Sequence, residues 1–409
     1  MEAVEWILDI LFFLLKGLTV YFGVIALFTL RRSRRIPRTD SLVRFAVVIA
    51  ARNEETVIAD PVRSVLAQDY PCHLRDVYVV PNNCTDQTEE VAAAAGAKII
   101  ACRGTVRSKG DALHDAFAQL LKEKSYDAFL VLDADNTLKS DYLARMNDAF
   151  AAGAMICKSK TKASNPTASG VAGCYGLYNA VCDLMCSRPR AACGLSAKLI
   201  GTGFAVRREV LEQMGGWNTT TIAEDAEFAA QCARTGYRVT WVPEAVNYDE
   251  EPVDFVTSLH QRRRWCSGLM QVGRKEIPRL WRTKGAGAML RWDMVMFLLA
   301  PFGQAISGLL LAVSFLCRLI TEGRIALLPV LTALSGFCLG CMVLAAVLCL
   351  LGGYGLRGML RAIWFFPFFM VSWLPLQVIS LFRDTTHWRA ITHTGQKKHP
   401  CHAVRDLTM

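Results

Sequence analysis

From residue 292 to residue 382 the chain is almost continuously apolar, and this run limits what the rest of the molecule can be. About 20 apolar residues suffice for one helix to cross the hydrocarbon core of a bilayer. Three blocks, residues 294–319, 325–351 and 363–382, are separated by Thr321-Glu322-Gly323-Arg324 and by residues 352–361. A further run, residues 6–30, is interrupted by Asp9 and Lys16 and is also long enough to span. Between these lies a stretch of ordinary globular composition, large enough to bury its own core. The averages, 53% hydrophobic and a mean hydropathy of +0.26, are too apolar for a soluble enzyme and too polar for a membrane bundle. The expected division is an anchor helix (1–30), a soluble domain (31–270), an interfacial amphipathic segment (271–291), a membrane region (292–383) and a basic tail (384–409).

The net charge of +10 is unevenly placed. Arg31-Arg32-Ser33-Arg34-Arg35 follows the first apolar run, and Glu2 and Glu5 precede it. Lys and Arg favour the cytoplasmic side, so the expectation is a multi-pass protein of the cell membrane with its large domain in the cytoplasm. A cleaved leader would carry its basic cluster before the apolar run, so a retained anchor is expected. Three later crossings would leave the basic tail outside, against the same charge rule. Pro367 and Pro375 interrupt the last block, which is therefore a candidate for a re-entrant or interfacial segment. Fifteen cysteines form no regular framework. Cys338 and Cys341 lie in an apolar block without a second pair, and the cysteines read as packing residues.

The soluble part alternates in period. Residues 45–51 (FAVVIAA) form a continuous apolar run suited to a buried parallel strand. Helical spacing over 57–68, a strand at 77–80, a helix at 88–95, a strand at 98–101, a helix at 109–122 and a strand at 128–132 follow. This β-α alternation predicts an α/β fold with a doubly wound, mostly parallel sheet. Ligands bind such sheets beyond the strand carboxyl ends, where Asn53-Glu54, residues 82–86 and residues 133–135 fall. No G-x-G-x-x-G follows a strand, and the Gly170, Gly173, Gly176 series has the wrong spacing for dinucleotide binding.

Five clusters carry candidate chemistry. Asp133-Ala134-Asp135 can direct two carboxylates into one cleft, a hard-oxygen pair suited to Mg²⁺ or Mn²⁺ shared with a diphosphate; alone it equally suits a solvated turn. Glu224-Asp225 opens a helix, as ordinary capping acids or as a general base. Lys109-Gly110 at a helix start suits a phosphate or a surface cap. Gly201-Thr202-Gly203 permits close approach to a flat ligand, or simply turns the chain. Gln261-Arg262-Arg263-Arg264-Trp265 offers guanidinium forks for phosphate and an indole for a sugar face, and it equally suits an interfacial basic helix with an aromatic anchor.

Their order is strand–N-E-E, strand–N-x-x-x-D, K-G, strand–D-x-D, G-x-G, E-D, then Q-x-x-R-W before membrane helices. This resembles family 2 glycosyltransferases of GT-A fold, and more narrowly the membrane-embedded synthases of cellulose, hyaluronan and poly-N-acetylglucosamine. The resemblance covers residues 44–268, including the opening at 50–55 and 64–71 (SVLAQDYP). It implies an inverting transfer from a UDP-sugar that forms a β-glycosidic bond. Glu54, Asn82 and Asp86 would line the uridine pocket, with Lys109 near the nucleotide. Asp133 and Asp135 would hold the metal and diphosphate, with Asp135 the more direct ligand. Asp225, beside Glu224, would be the catalytic base. Gly201, Thr202, Gly203 and Trp265 would border the acceptor, and Gln261 and Arg264 would bind the diphosphate. Trp388 and Thr392 resemble a W-x-x-x-T lid. Asn82 departs from the family's usual aspartate; an amide can both donate and accept.

The expected acceptor is a growing polysaccharide, with a single lipid acceptor as the alternative and a non-catalytic nucleotide-sugar-binding scaffold as a remote one. Membrane lipids are expected partners and nucleic acid is not. A polymer channel from so few helices would call for a homo-oligomer or an accessory subunit.

Overall fold

The computed structural model describes residues 2–31, 35–199, 201–285, 287–322 and 327–385. Eight strands form one sheet: β1 (Phe45–Ala51), β2 (Arg75–Pro81), β3 (Lys98–Ile99), β4 (Ala128–Asp133), β5 (Thr137–Leu138), β6 (Ile156–Ala163), β7 (Phe204–Arg207) and β8 (Val239–Asp249). Their order is β3-β2-β1-β4-β7-β6-β8-β5. The first four neighbours run parallel, β7 is antiparallel to both β4 and β6, β6 and β8 are parallel, and β5 is antiparallel to β8.

The apolar run of β1 is continuous because helices cover both faces of the sheet. Ala46 and Val48 enter one core with Phe117 and Phe228, from helices Lys109–Leu120 and Glu224–Thr235. Phe45, Val47 and Ile49 enter the other with Val62 and Met146, from helices Ala59–Leu66 and Tyr142–Ala151. Parallel register sets Ala50 opposite Asp133 and Ala51 opposite Pro81. The segments after β1, β2 and β4 therefore emerge together at one edge of the sheet. This is the doubly wound, mostly parallel arrangement expected from the sequence.

Among the described residues, three helical stretches are long and apolar enough to cross a membrane: Ala288–Val313, Leu328–Gly352 and Leu356–Phe382. The last is two helices, Leu356–Val371 and Trp373–Phe382. Pro367 stays inside the first of these, and the break at Ser372 precedes Pro375, which can neither donate to nor fit beside the carbonyl four residues back. The first apolar run is helical from Glu2 to Leu27. A single helix, Phe255–Arg282, carries the Q-x-x-R-W cluster and the first part of the expected interfacial segment, whose last residues, from Ala288, open the next helix, Ala288–Glu322. Trp388, Thr392 and the rest of the tail lie outside the described residues.

Polar and apolar contacts join the α/β domain to the apolar helices. The buried Arg190 guanidinium pairs with Asp293 (Nε–Oδ2 2.9 Å), and Tyr21 of the first helix donates to Asp293 Oδ1 at 2.7 Å. Helix Gly170–Val181 packs against Leu356–Val371 in a third core containing Tyr175, Ala362 and Phe366. A Cβ on Gly173 would lie 2.5 Å from Ala362 Cβ and 2.9 Å from the Pro166 carbonyl. The glycine series excluded as a dinucleotide motif thus allows two helices to approach closely. Gly173→Val should cost about 1–3 kcal/mol through overpacking. A lowered Tm of the detergent-solubilised chain would register it; an unchanged Tm would show that the helices move apart freely.

Candidate active site

The strand ends meet in a cavity of about 260 Å³. Its lining includes Glu54, Asn82, Lys109, Asp133, Asp135, Gly201, Thr202, Glu224, Asp225, Gln261, Arg264 and Trp265. Residues separated by more than two hundred positions thus share one wall system. Gly203 and Asp86 serve the protein instead. A Cβ on Gly203, at φ 64°, would strike Ser159 Oγ at 2.5 Å, so this glycine accommodates β6. Asp86 is engaged by the Glu55 amide at 3.1 Å and by the Thr88 hydroxyl at 2.5 Å, which closes the turn before helix Thr88–Ala94.

Asp133 ends β4. Its amide donates to Thr202 Oγ1 at 2.9 Å, and that hydroxyl donates to Asn136 Oδ1 at 3.2 Å. Asn136 is fully buried, and its Nδ2 donates to Asp135 and Asp249 at 2.8 Å each. One amide therefore holds two carboxylates at a fixed separation. Asp249 and Glu251, at and just beyond the end of β8, also line the cavity. They escaped sequence reasoning, although an Asp249-Glu250-Glu251 run closing a strand is the same kind of signal as Asp133-Ala134-Asp135.

Helix Lys109–Leu120 begins with a reciprocal Ser108–Asp111 capping box, which sets Lys109 at its first turn. The Lys109 ammonium donates to Gly201 O at 2.6 Å and pairs with Asp133 at 2.5 Å and Glu224 at 3.3 Å. Burial opposes its charge, but Asp133 and Glu224 outweigh burial and raise its pKa. Burial also raises the Glu224 carboxyl, against the pull of Lys109. Asp225, in the first turn of helix Glu224–Thr235, accepts hydrogen bonds from the Gly201 amide and, at 2.7 Å, from the Ala226 amide. Each of its oxygens keeps a lone pair for a substrate hydroxyl.

Asn82 Nδ2 donates to the Ala51 carbonyl at 2.9 Å. A carboxylate here would face that carbonyl, which accounts for an amide at this position. Among the described residues, Arg264 has no hydrogen-bond or ion-pair partner, and the buried Gln261 Oε1 has no donor. Both side chains line the cavity, whereas Arg262 Nη2 and Arg263 Nε, also buried without a partner, belong to residues outside its lining. Arg262, between them, is fully buried; it donates to the Phe369 carbonyl at 3.0 Å and to Ser372 Oγ at 2.8 Å. It therefore seats the broken last helix. Trp265 stacks on Tyr178 (6.2 Å, 22°) and on Trp373 (6.2 Å, 29°), so its ring belongs to a three-membered aromatic wall.

The donor set suits a hard divalent ion. Burial, then the charges of Asp135 and Asp133, push the Glu54 carboxyl up to about 8. Burial is also the main cause for Glu251, likewise at about 8, with Asp135 adding to it. Among the described residues no three such side chains form a ready cage. A bound ion would complete its shell from diphosphate oxygens and water, the usual habit of Mg²⁺. Glu54 and Glu251 keep protons in the folded state that the unfolded chain has released. Without metal, stability should therefore fall as pH rises from about 5 to about 8. Millimolar Mn²⁺ should flatten that slope by neutralising Asp133 and Asp135. A Tm–pH profile indifferent to Mn²⁺ would contradict this.

Acidic strand ends, a lysine-bridged pair of acids and an unpartnered arginine thus share one cavity. Residues 43–268, more than half of the chain, match the family model described as glycosyltransferase like family 2, and the chain belongs to that family. It is 27% identical over 267 residues to the probable glycosyltransferase YdaM of Bacillus subtilis, covering 61% of this chain and 62% of the relative. It is 28% identical over 310 residues to the beta-monoglucosyldiacylglycerol synthase of Trichormus variabilis, covering 73% and 65%. It is 23% identical over 249 residues to the poly-beta-1,6-N-acetyl-D-glucosamine synthase of Staphylococcus aureus, covering 60% and 59%. The chain thus spans somewhat less than two thirds of each of these relatives. The mannosyltransferase PcManGT of Pyrobaculum calidifontis, solved with GDP-Man and Mn²⁺, superposes with a TM-score of 0.63 at 19% identity over 92% of this chain and 99% of that one. The fold is GT-A.

Proposed function

We propose that this protein transfers one sugar from a UDP-sugar to a hydroxyl of a membrane lipid, with inversion at the anomeric carbon. The observation that carries this reading is the cavity's apolar lining: Leu269, Phe297 and Trp373 share it with the carboxylates. Phe297 and Trp373 belong to stretches long and apolar enough to cross a membrane. An acceptor entering there comes from the bilayer side. The monoglucosyldiacylglycerol synthases among the relatives support a lipid acceptor by name.

Asp225 takes the proton of the acceptor hydroxyl, oriented by the Gly201 amide. The hydroxyl oxygen bonds to the anomeric carbon from the face opposite the diphosphate. The carbon–oxygen bond to the diphosphate breaks, and its electron pair leaves with UDP. Arg264 meets the charge that grows there. An Mg²⁺ or Mn²⁺ ion held by Asp133 and Asp135 would supply Lewis-acid stabilisation of the same leaving group. Gln261 Oε1 and Glu54 face the donor, and Lys109 keeps Asp133 and Glu224 in place. An α-linked donor gives a β-linked product. The domain lies on the cytoplasmic side, where UDP-sugars are made.

Membranes containing the chain, supplied with radiolabelled UDP-sugars, provide the test. Label extracted into organic solvent as a single-sugar lipid is the expected outcome. Label in a high-molecular-weight polymer would replace the lipid reading with the polysaccharide one.

A further inference from the structure

Lys198 precedes the Gly201-Thr202-Gly203 turn, and its half-buried side chain lines the cavity beside Phe297, which belongs to a stretch apolar enough to cross a membrane. Its ammonium meets Tyr178 Oη at 3.3 Å and Cys182 Sγ at 3.5 Å. It also sits over the rings of Tyr178 (5.4 Å) and Phe297 (5.6 Å). Among the described residues it has no carboxylate partner. Burial holds the Cys182 thiol up at about 11, so it stays neutral at physiological pH and supplies no counter-charge. Asp293, which lines an adjoining small cavity with Lys198, is already held by Arg190 and Tyr21.

A partly desolvated ammonium without an anion is costly, and two ring faces offset only part of that cost. Of the other cations lining the cavity, Lys109 pairs with Asp133 and Glu224, Arg107 pairs with Asp111, and Arg264 is assigned to the donor. Lys198 alone stands between the aromatic wall of Tyr178, Trp265 and Trp373 and the apolar Phe297. A neutral lipid hydroxyl offers this ammonium a lone pair but no counter-charge.

We propose that the acceptor is an anionic phospholipid whose phosphodiester sits on Lys198 while its free headgroup hydroxyl reaches Asp225. This rests on the lipid-acceptor reading and narrows it. Lys198 fixes the acceptor; the proton of the hydroxyl goes to Asp225, and the phosphodiester itself is unchanged by the transfer.

Binding tests this without requiring turnover. The detergent-solubilised full chain is titrated calorimetrically with dihexanoyl phosphatidylglycerol and, separately, with dihexanoylglycerol. The wild type should bind the anionic lipid at least about tenfold more tightly, the worth of one charge-assisted contact. Lys198→Met should remove that preference and Lys198→Arg should keep most of it, with UDP binding followed in each variant as a check on folding. Equal affinity for the two lipids in the wild type, or a preference that survives in Lys198→Met, overturns the proposal. Should Lys198→Met not fold, Lys198→Gln decides on the same criterion. Failure of the wild type to turn over any UDP-sugar would instead sink the transferase reading, so the two failures are distinguishable.

Discussion

Asp225→Asn should lower sugar transfer by about 10²- to 10⁴-fold, the usual worth of a positioned general base. The change is nearly isosteric. The Gly201 and Ala226 amides engage different carboxylate oxygens, so in the variant one would still meet an oxygen and the other would face an NH₂. Loss of proton acceptance, with a modest local adjustment, is what the variant reports. UDP affinity should stay near the wild-type value, because Asp225 is assigned to the acceptor hydroxyl and not to the diphosphate. The kinetic signature is a fall in kcat with little change in the KM for the donor. Transfer at the wild-type rate in Asp225→Asn would remove this residue as the base. Glu224 would not replace it, since it is committed to Lys109 and held by burial toward its protonated form.

The second large effect is on stability. Lys109→Met removes the one cation that Asp133 and Glu224 share, together with its hydrogen bond to the Gly201 carbonyl. Breaking a buried pair from one side costs roughly 3–5 kcal/mol, because a charge is left without compensation. The lower end, about 3 kcal/mol, applies here because Asp133 keeps contact with water and Glu224 can take up a proton. The loss should shrink as pH falls and Glu224, already raised by burial, takes up a proton. A thermal melt of Lys109→Met against wild type, at neutral and at acid pH, reads both effects. A neutral-pH Tm equal to wild type would mean that the lysine is a bystander.

The parts of the site that lie at the tips of β1, β2 and β4 were legible in the sequence, because each follows an apolar strand directly and parallel strands deliver their carboxyl ends to one edge. Glu54, Asn82, Asp133 and Asp135 owe their convergence to that rule alone. The far half of the sheet was less legible. β6 reads as polar (ICKSKTKA), yet Lys158 is buried, its ammonium donating to Ser159 O and Thr161 Oγ1 at 3.1 Å each. With β6 unassigned, the parallel pairing that sets Asp249 opposite Ala163 has no local signal, so Asp249 and Glu251 stayed hidden. Lys198 stayed hidden for a similar reason: its meaning depends on Tyr178 and Phe297, from two distant helices.

The Q-x-x-R-W cluster shows the limits of motif reading in the other direction. Gln261 and Arg264 face the cavity, as their chemistry suggests. Arg262, one residue into the motif, is a buried strut whose guanidinium lies 4.1 Å from the centre of the Phe369 ring and ties the interface helix to the last apolar stretch. Trp265 joins Tyr178 and Trp373 before it meets any substrate. The cluster thus both lines the cavity, through Gln261, Arg264 and Trp265, and holds the last apolar stretch, through Arg262. The cluster carries both because the helix that bears it, Phe255–Arg282, borders the cavity on one side and the apolar helices on the other.

The central claim is that this cavity turns over a UDP-sugar. Its most direct test is UDP release by the purified wild-type chain in lipid vesicles, across a panel of UDP-sugars with Mn²⁺ or Mg²⁺. The account predicts release with at least one donor, dependent on the divalent ion and on a hydroxyl-bearing lipid, and lost in Asp225→Asn. Binding of UDP-sugars with no release from any of them, under either metal, would contradict it and leave a nucleotide-sugar-binding scaffold in its place.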